Sequence, residues 1–179
     1  TSANTVFVSI DGLKAAHDSI RGPTFDNVLS NIKKSTHPSL YINYTINSRN
    51  KNDIEPCCSM IQSIEKIRGV FFYFHTPYYG LDGLYLAERE RQEILACLLK
   101  LKKQHKILNS RAGLISAMKN NWRRPLNVCR VYENGTVYEC CRFPGNAELC
   151  RNCGYLSYAE IDQTLKLKPS AIAGALRYF

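Results

Sequence analysis

The sequence lacks any apolar run of about 18 residues, the length at which a segment becomes a candidate membrane span. It also lacks the basic-then-apolar pattern of a signal peptide at its start, and it contains no repeat or low-complexity segment. We therefore expect no membrane span and a cytoplasmic protein. The 179 residues and the 45% hydrophobic content suit one folded domain with at most a small appendage, and they exclude a disordered chain.

Acidic residues are also scarce, since 15 Asp and Glu face 24 Lys and Arg and leave a formal net charge of +9. Such an excess permits binding to nucleic acid, whose phosphates attract cations. The basic residues are nevertheless spread over several predicted helices, for example at 33–34 and 123–124, and no recognition motif accompanies them. A solvated surface explains this distribution better, so we expect no nucleic-acid partner.

Three strand–helix units follow one another, with predicted strands over 5–10, 40–46 and 70–74. The strands are rich in β-branched and aromatic residues, whereas the segments between them repeat apolar residues at helical spacing. The second helix passes through Met60 and Ile67 and is predicted to end at Gly69. Short connections of this kind favour parallel strands with right-handed crossovers, so the pattern predicts an α/β fold, either an open sheet or a barrel.

The pattern changes in the last third of the chain, and we place a domain boundary there. It divides the chain into a domain of residues 1–124 and an extension of residues 125–179. In the extension, Asn134-Gly135 between two alternating segments predicts a β-hairpin. Ser157 and Glu160 have the spacing of a capping box and predict the start of a helix.

Five of the eight cysteines lie in the extension: Cys129, Cys140, Cys141, Cys150 and Cys153. A hairpin brings the ends of its strands together, so Cys129 and one cysteine of the adjacent pair can share an ion with the CxxC at 150–153. Only one of Cys140 and Cys141 is expected to ligate, because neighbours in an extended chain point to opposite faces. Four thiolates suit an iron–sulfur cluster or a Cys₄ zinc site, and the single CxxC favours the cluster. Disulfides and buried, unliganded cysteines are the alternatives.

The other cysteines have no ligand partner nearby in the sequence. Cys57 and Cys58 precede a predicted helix, and Cys97 lies beside the apolar face of another. We expect all three to be structural.

Polar residues follow each predicted strand, where ligands of parallel α/β proteins bind. Ser9 and Asp11 end the first strand, Asn47 the second and His75 the third, and Arg21 follows Asp11 after a short segment. Asp11 can accept hydrogen bonds from hydroxyl groups, and Arg21 can pair with a carboxylate. Turn and cap chemistry explains Asp11 equally well, and an ordinary satisfied histidine is the default interpretation of His75.

The segments 8–12 (VSIDG), 17–22 (HDSIRG) and 24–28 (TFDNV) together resemble the fourth strand and following helix of the radical S-adenosylmethionine (SAM) superfamily. The segment 74–80 (FHTPYYG) looks like the last core strand of a related subgroup, and the cysteine-rich tail is similar to SPASM or twitch extensions. The resemblance implies the C-terminal portion of a partial (β/α)₆ TIM-like barrel with parallel strands, plus a small cysteine-rich hairpin-and-helix extension.

The same resemblance implies ligands and partners. Ser9 and Asp11 would face the ribose or methionyl part of SAM, Arg21 would approach its carboxylate, and Asn47 and His75 are further SAM candidates. In the superfamily a [4Fe–4S] cluster reduces SAM, and the resulting 5′-deoxyadenosyl radical abstracts hydrogen from a substrate. An electron donor such as ferredoxin or flavodoxin is implied, as is an auxiliary iron–sulfur cluster in the tail, with zinc as the second choice. Nothing in the sequence marks the substrate.

The sequence departs from the family at one decisive place. It contains no CxxxCxxC loop, which holds the SAM-cleaving cluster, and no Gly–Gly–acidic motif after its second strand. We therefore expect the C-terminal part of a radical SAM enzyme, inactive by itself. Two alternatives from other classes stay open: a basic, zinc-binding nucleic-acid module and a non-catalytic iron–sulfur scaffold protein.

Overall fold

Strands and helices alternate in the first part of the chain, and helices with one hairpin follow. The computed structural model describes residues 3–124, 130–139 and 146–176. The strands are Val6–Ser9 (β1), Leu40–Ile46 (β2), Ile67–Phe74 (β3), Arg130–Glu133 (β4) and Thr136–Glu139 (β5). The helices are Lys14–Arg21 (α1), Phe25–Lys34 (α2), Ile54–Gln62 (α3), Glu88–Leu101 (α4), Arg111–Met118 (α5), Ala147–Arg151 (α6), Leu156–Leu165 (α7) and Pro169–Ala175 (α8).

The first three strands form one parallel sheet in the order β1-β2-β3. This confirms the predicted α/β class and the parallel strands. The described residues form no closed barrel. Adjacent parallel strands place their carboxyl ends at one edge of the sheet, and that edge carries the polar residues singled out above.

The side of β3 that faces away from β2 is occupied by three different partners. The segment around Ile107 pairs with Val70 as an isolated parallel bridge. The Asn109 side chain continues this pairing, since its Oδ1 accepts the Phe72 N–H at 2.8 Å and its Nδ2 donates to the Phe72 carbonyl at 3.0 Å. The Phe74 N–H then donates to the Gly154 carbonyl at 2.9 Å.

The core joins the sheet to the helices that connect its strands. Tyr44 and Phe72 are fully buried, and their rings lie 5.2 Å apart. Cys57 and Cys58 in α3 are buried in the same core, and burial raises the pKa of both thiols to about 12, so they stay protonated at neutral pH. Cys97 is exposed on α4, so its predicted packing role is wrong.

The other face of the sheet borders a groove of about 870 Å³ that α7 and α8 line on the opposite side. Its sheet side carries aromatic rings. Among them are Phe7 and Tyr41, which lie opposite each other on β1 and β2 with ring centroids 5.2 Å apart. Ser9 lies on this same face, because it is two residues from Phe7 in a strand.

Two predicted helix boundaries differ from the structure. Gly69 does not end a helix; it lies inside β3, where an added Cβ would come within 2.7 Å of the Lys106 carbonyl oxygen. Ser157 does not cap α7, which begins at Leu156. Glu160 instead accepts the Ser110 N–H at 2.8 Å, so its carboxylate joins α7 to the start of α5.

The hairpin prediction is confirmed. β4 and β5 pair in antiparallel fashion with Glu133 opposite Thr136. The two turn residues, Asn134 and Gly135, have φ angles of 48° and 81°. Positive φ at both central positions is the geometry that the Asn-Gly sequence favours in two-residue turns.

Among the described residues, no helix combines the length and apolar character needed to cross a membrane.

Candidate functional site

The carboxyl ends of the three parallel strands form a continuous polar edge. The Ile10 N–H donates to the Asn43 carbonyl at 3.0 Å, and the His75 N–H donates to the Ile46 carbonyl at 2.8 Å, so the chains leaving the strands stay side by side. The segment after β3 returns across this edge, where the Ser48 N–H donates to the Leu84 carbonyl at 3.1 Å.

Asp11 is the most deeply placed acidic residue of this edge, at 1% exposure. Its Oδ1 accepts the Thr45 N–H at 2.6 Å, and its Oδ2 accepts from Arg21 Nε at 2.5 Å. Both carboxylate oxygens therefore have protein partners, and Asp11 orients Arg21 instead of presenting a free carboxylate to a ligand.

Arg21 is the exposed member of the pair. Its side chain is 38% exposed, and only its Nε is used in the bond to Asp11. The terminal guanidinium nitrogens form no hydrogen bond with a described residue. They can donate to a planar anion such as a carboxylate, for which the guanidinium fork is suited.

His17 holds the backbone of Asp11 in place through a hydrogen bond, a role that the sequence does not indicate. The ring is fully buried; its Nδ1 accepts the Asp11 N–H at 3.1 Å, and its Nε2 lies 3.1 Å from Thr24 Oγ1. Acceptance at Nδ1 requires the neutral ring with its proton on Nε2. Burial lowers the pKa of His17, with Arg21 acting in the same direction and Asp11 and Asp18 opposing.

We expect the chain to lose stability toward urea as the pH falls below about 6.5, the ordinary pKa of histidine. The folded-state pKa of His17 is lowered, so the unfolded chain binds the proton first and acidification favours unfolding. His17→Asn, which keeps an acceptor and cannot gain a proton, should flatten the dependence between pH 7.5 and 5.5. His105→Asn, at a half-buried position away from the site, is the control. Equal pH dependence in the wild type and His17→Asn would contradict the assignment.

Asn47 is buried and belongs to an internal turn. Its Oδ1 accepts the Arg49 N–H at 2.9 Å, and its Nδ2 donates to the Thr45 carbonyl at 3.3 Å. Asn50, which the sequence did not single out, joins this turn to the first strand: its Oδ1 accepts the Asn47 N–H at 2.8 Å, and its Nδ2 donates to the Asp11 carbonyl at 3.3 Å. In the structure Asn47 therefore shapes the loop, and its polar atoms have protein partners.

His75 and Ser9 lie at the two flanks of the edge. The His75 Nε2 is 2.8 Å from Asp82 Oδ2. Desolvation opposes ionisation of Asp82, but the His75 ring and two backbone N–H groups lower its pKa overall. Ser9 is half-buried beside Asn43, whose Oδ1 is buried without a hydrogen-bond partner among the described residues. Asn43 is thus a further candidate for ligand contact. The sequence contains one indication of this role, a polar residue within an otherwise largely apolar strand.

Residues 150–153 of the CxxC lie at the same end of the sheet as the polar edge. Cys150 lies in the last turn of α6 and Cys153 just beyond its end, and both cysteines are half-buried. The next residue, Gly154, donates its N–H to Thr76 Oγ1 at 2.9 Å and accepts the Phe74 N–H at 2.9 Å. The CxxC is therefore attached directly to the carboxyl end of β3.

The full ligand set cannot be assembled from the part of the chain that the structure describes. Within residues 3–124, 130–139 and 146–176, no three His, Cys, Asp or Glu side chains are grouped closely enough to hold a metal ion. Cys129, Cys140 and Cys141 lie outside the described residues. The four-thiolate site, and which of Cys140 and Cys141 ligates, stay predictions.

No protein-family model, curated protein or solved structure matches this chain. The resemblance to the radical SAM superfamily therefore stays a prediction from the sequence segments quoted above.

Proposed function

We propose that this chain supplies part of the partial (β/α) barrel and the cysteine-rich extension of a radical SAM iron–sulfur enzyme. The parallel order β1-β2-β3, with a further bridge at Ile107, supports such a barrel segment. The segments that resemble the superfamily, 8–12 and 17–22, carry the Asp11–Arg21 pair.

The Asp11–Arg21 pair is the observation that carries this proposal. A buried carboxylate holds Nε of the guanidinium, while the two terminal nitrogens stay available at the carboxyl end of β1. Arg21 then binds the methionyl carboxylate of SAM, and Asp11 acts through Arg21. Ser9 lies on the groove side of the same strand and can meet the rest of the ligand.

The CxxC fits a metal centre in the extension. Cys150 and Cys153 supply two of the thiolates, and the residues around them fix their loop to β3. An iron–sulfur cluster bound there would supply one-electron redox chemistry. The SAM-cleaving cluster does not fit this chain, because the sequence has no CxxxCxxC, so no cleavage step is assigned to its residues.

A calorimetric titration with SAM tests the role of Arg21. Arg21→Gln should weaken SAM binding about 10-fold or more, because a hydrogen bond to a charged group contributes about 1.5–3 kcal/mol. Arg68→Gln, an exposed arginine near the opposite end of β3, should bind like the wild type.

A truncated ligand provides the second control. 5′-Methylthioadenosine keeps the nucleoside and lacks the methionyl carboxylate, so Arg21→Gln should leave its binding unchanged. Equal losses for SAM and 5′-methylthioadenosine would place Arg21 elsewhere in the site. Absence of SAM binding by the wild-type chain would overturn the proposed function.

A further inference from the structure

Four consecutive carbonyl groups of the CxxC loop each accept a hydrogen bond from a side chain outside the loop. Arg124 Nη2 donates to Cys150, Asn120 Nδ2 to Arg151 at 3.2 Å, and Arg91 to both Asn152 at 2.9 Å (Nη1) and Cys153 at 2.7 Å (Nη2). The donors come from α4 and from the segment after α5. The backbone of the CxxC segment is therefore held in place by side chains from outside it.

Arg91 makes the largest contribution to this arrangement. Its two terminal nitrogens hold successive carbonyls, which requires a planar fork and cannot be reproduced by a single ammonium group. Its guanidinium also lies over the Phe74 ring, 4.7 Å from the centroid, at the end of the strand to which the loop is attached. One side chain thus joins α4, β3 and the CxxC.

The charge of Arg91 has no acidic partner at contact distance in the described part of the chain. The ion pairs of α4 there are Lys51–Glu90 and Arg89–Glu93. Burial lowers the pKa of Arg91, but a guanidinium stays protonated in proteins. Arg91 is half-buried, and its charge is offset by carbonyl dipoles, a ring and the more distant Glu88. A thiolate at Cys153 would bring an anion next to it.

We propose that Arg91 is the positioning residue of the metal centre at Cys150 and Cys153. Its two hydrogen bonds keep the loop in the conformation that lets both thiolates bind one centre, and its positive charge offsets theirs. Side chains of this kind, which orient ligands without touching the metal, typically change metal affinity about 10- to 100-fold when removed. This inference rests on the metal centre of the proposed function.

The test uses the full chain, prepared without metal under anaerobic conditions and titrated with Co²⁺ against a chelator. Arg91→Met keeps much of the side-chain length and removes the fork and the charge; its Co²⁺ affinity should fall about 10- to 100-fold. The sulfur-to-cobalt charge-transfer absorption per bound ion should fall as well. Arg91→Lys, which keeps the charge, should also lose affinity because it cannot hold both carbonyls.

Arg89→Met is the matched control, since Arg89 lies on the same helix with a 90% exposed side chain and should bind Co²⁺ like the wild type. If Arg91→Met does not fold, judged by circular dichroism, Arg91→Lys gives the result. Wild-type affinity and an unchanged spectrum in the folded Arg91 variant would overturn the inference and leave the metal centre standing. Failure of the wild-type chain to bind Co²⁺ would overturn the metal centre itself, and this inference with it.

Discussion

Cys150→Ser and Cys153→Ser are each expected to abolish stable binding of iron or zinc. Other side chains hold the backbone of both cysteines in place, so either substitution removes a proposed ligand without disturbing that backbone. A serine hydroxyl stays protonated at neutral pH and is a poor substitute for a thiolate. The measurement is the metal content after anaerobic reconstitution with iron and sulfide, followed by removal of unbound metal.

Cys97→Ser provides the control for this experiment, because Cys97 is exposed on α4 and belongs to no proposed site. Metal content unchanged in both CxxC variants would refute the ligand assignment.

The wild-type protein after reconstitution also distinguishes the functional alternatives. A brown protein supports an iron–sulfur cluster, whereas a colourless zinc protein that retards DNA in a gel supports the nucleic-acid module.

Gly154→Ala is expected to destabilise the fold on the order of 3 kcal/mol, at the upper end of the usual cost of overpacking. An alanine Cβ at this position would lie 1.8 Å from the Phe74 carbonyl oxygen and 2.5 Å from its carbon. Both are backbone atoms of the sheet and cannot move aside alone. The loop must therefore separate from β3, which breaks the hydrogen bonds that Gly154 makes with Phe74 and Thr76.

Urea unfolding at neutral pH measures this effect. Gly83→Ala is the matched control, because no atom lies within 4 Å of the Cβ it would introduce. An unfolding midpoint for Gly154→Ala equal to that of Gly83→Ala would show that the loop is not packed on β3 in solution.

The sheet could be predicted from sequence because its signal is local. Alternating and continuous apolar runs define β1, β2 and most of β3, and Asn134-Gly135 defines the hairpin. The start of β3 is not predicted, because Gly69 follows a helical pattern and is typical of a helix stop. A glycine is needed at position 69 because residues 106–108 approach the backbone closely there. This is a tertiary contact that no local sequence pattern contains.

The same distinction applies to the helix caps. Thr24 stands at the N-cap position of α2 and is a residue type that favours such a cap, but its side chain makes no capping bond. Asp18 accepts the N–H groups of Thr24 and Phe25 at 3.0 Å and 2.9 Å instead, which lowers the pKa of Asp18. The capping residue therefore comes from the preceding helix, α1, outside the window in which a capping box is sought.

The candidate site was predictable in position and only partly in role. The rule that ligands meet the carboxyl ends of parallel strands located Asp11, Arg21 and Asn47 correctly at one edge. It could not show that the carboxylate of Asp11 already accepts hydrogen bonds from Thr45 and Arg21. The role of Arg91 could not be predicted from a local pattern, because Arg91 lies 62 residues from Cys153 in the chain.

The outer side of β3 is already occupied by other parts of the chain, which leaves β1 as the edge of the sheet. Ile107, the Asn109 side chain and Gly154 occupy successive positions along its outer side, and the amide of Asn109 takes the place of a peptide group there. β1 pairs with β2 alone among the described strands, and Phe7 on it is 39% exposed. Among the described strands, β1 is therefore the edge of this sheet, and its outer side is where a further strand would join. The risk of edge-to-edge aggregation of this sheet is thus concentrated in the four residues of that strand.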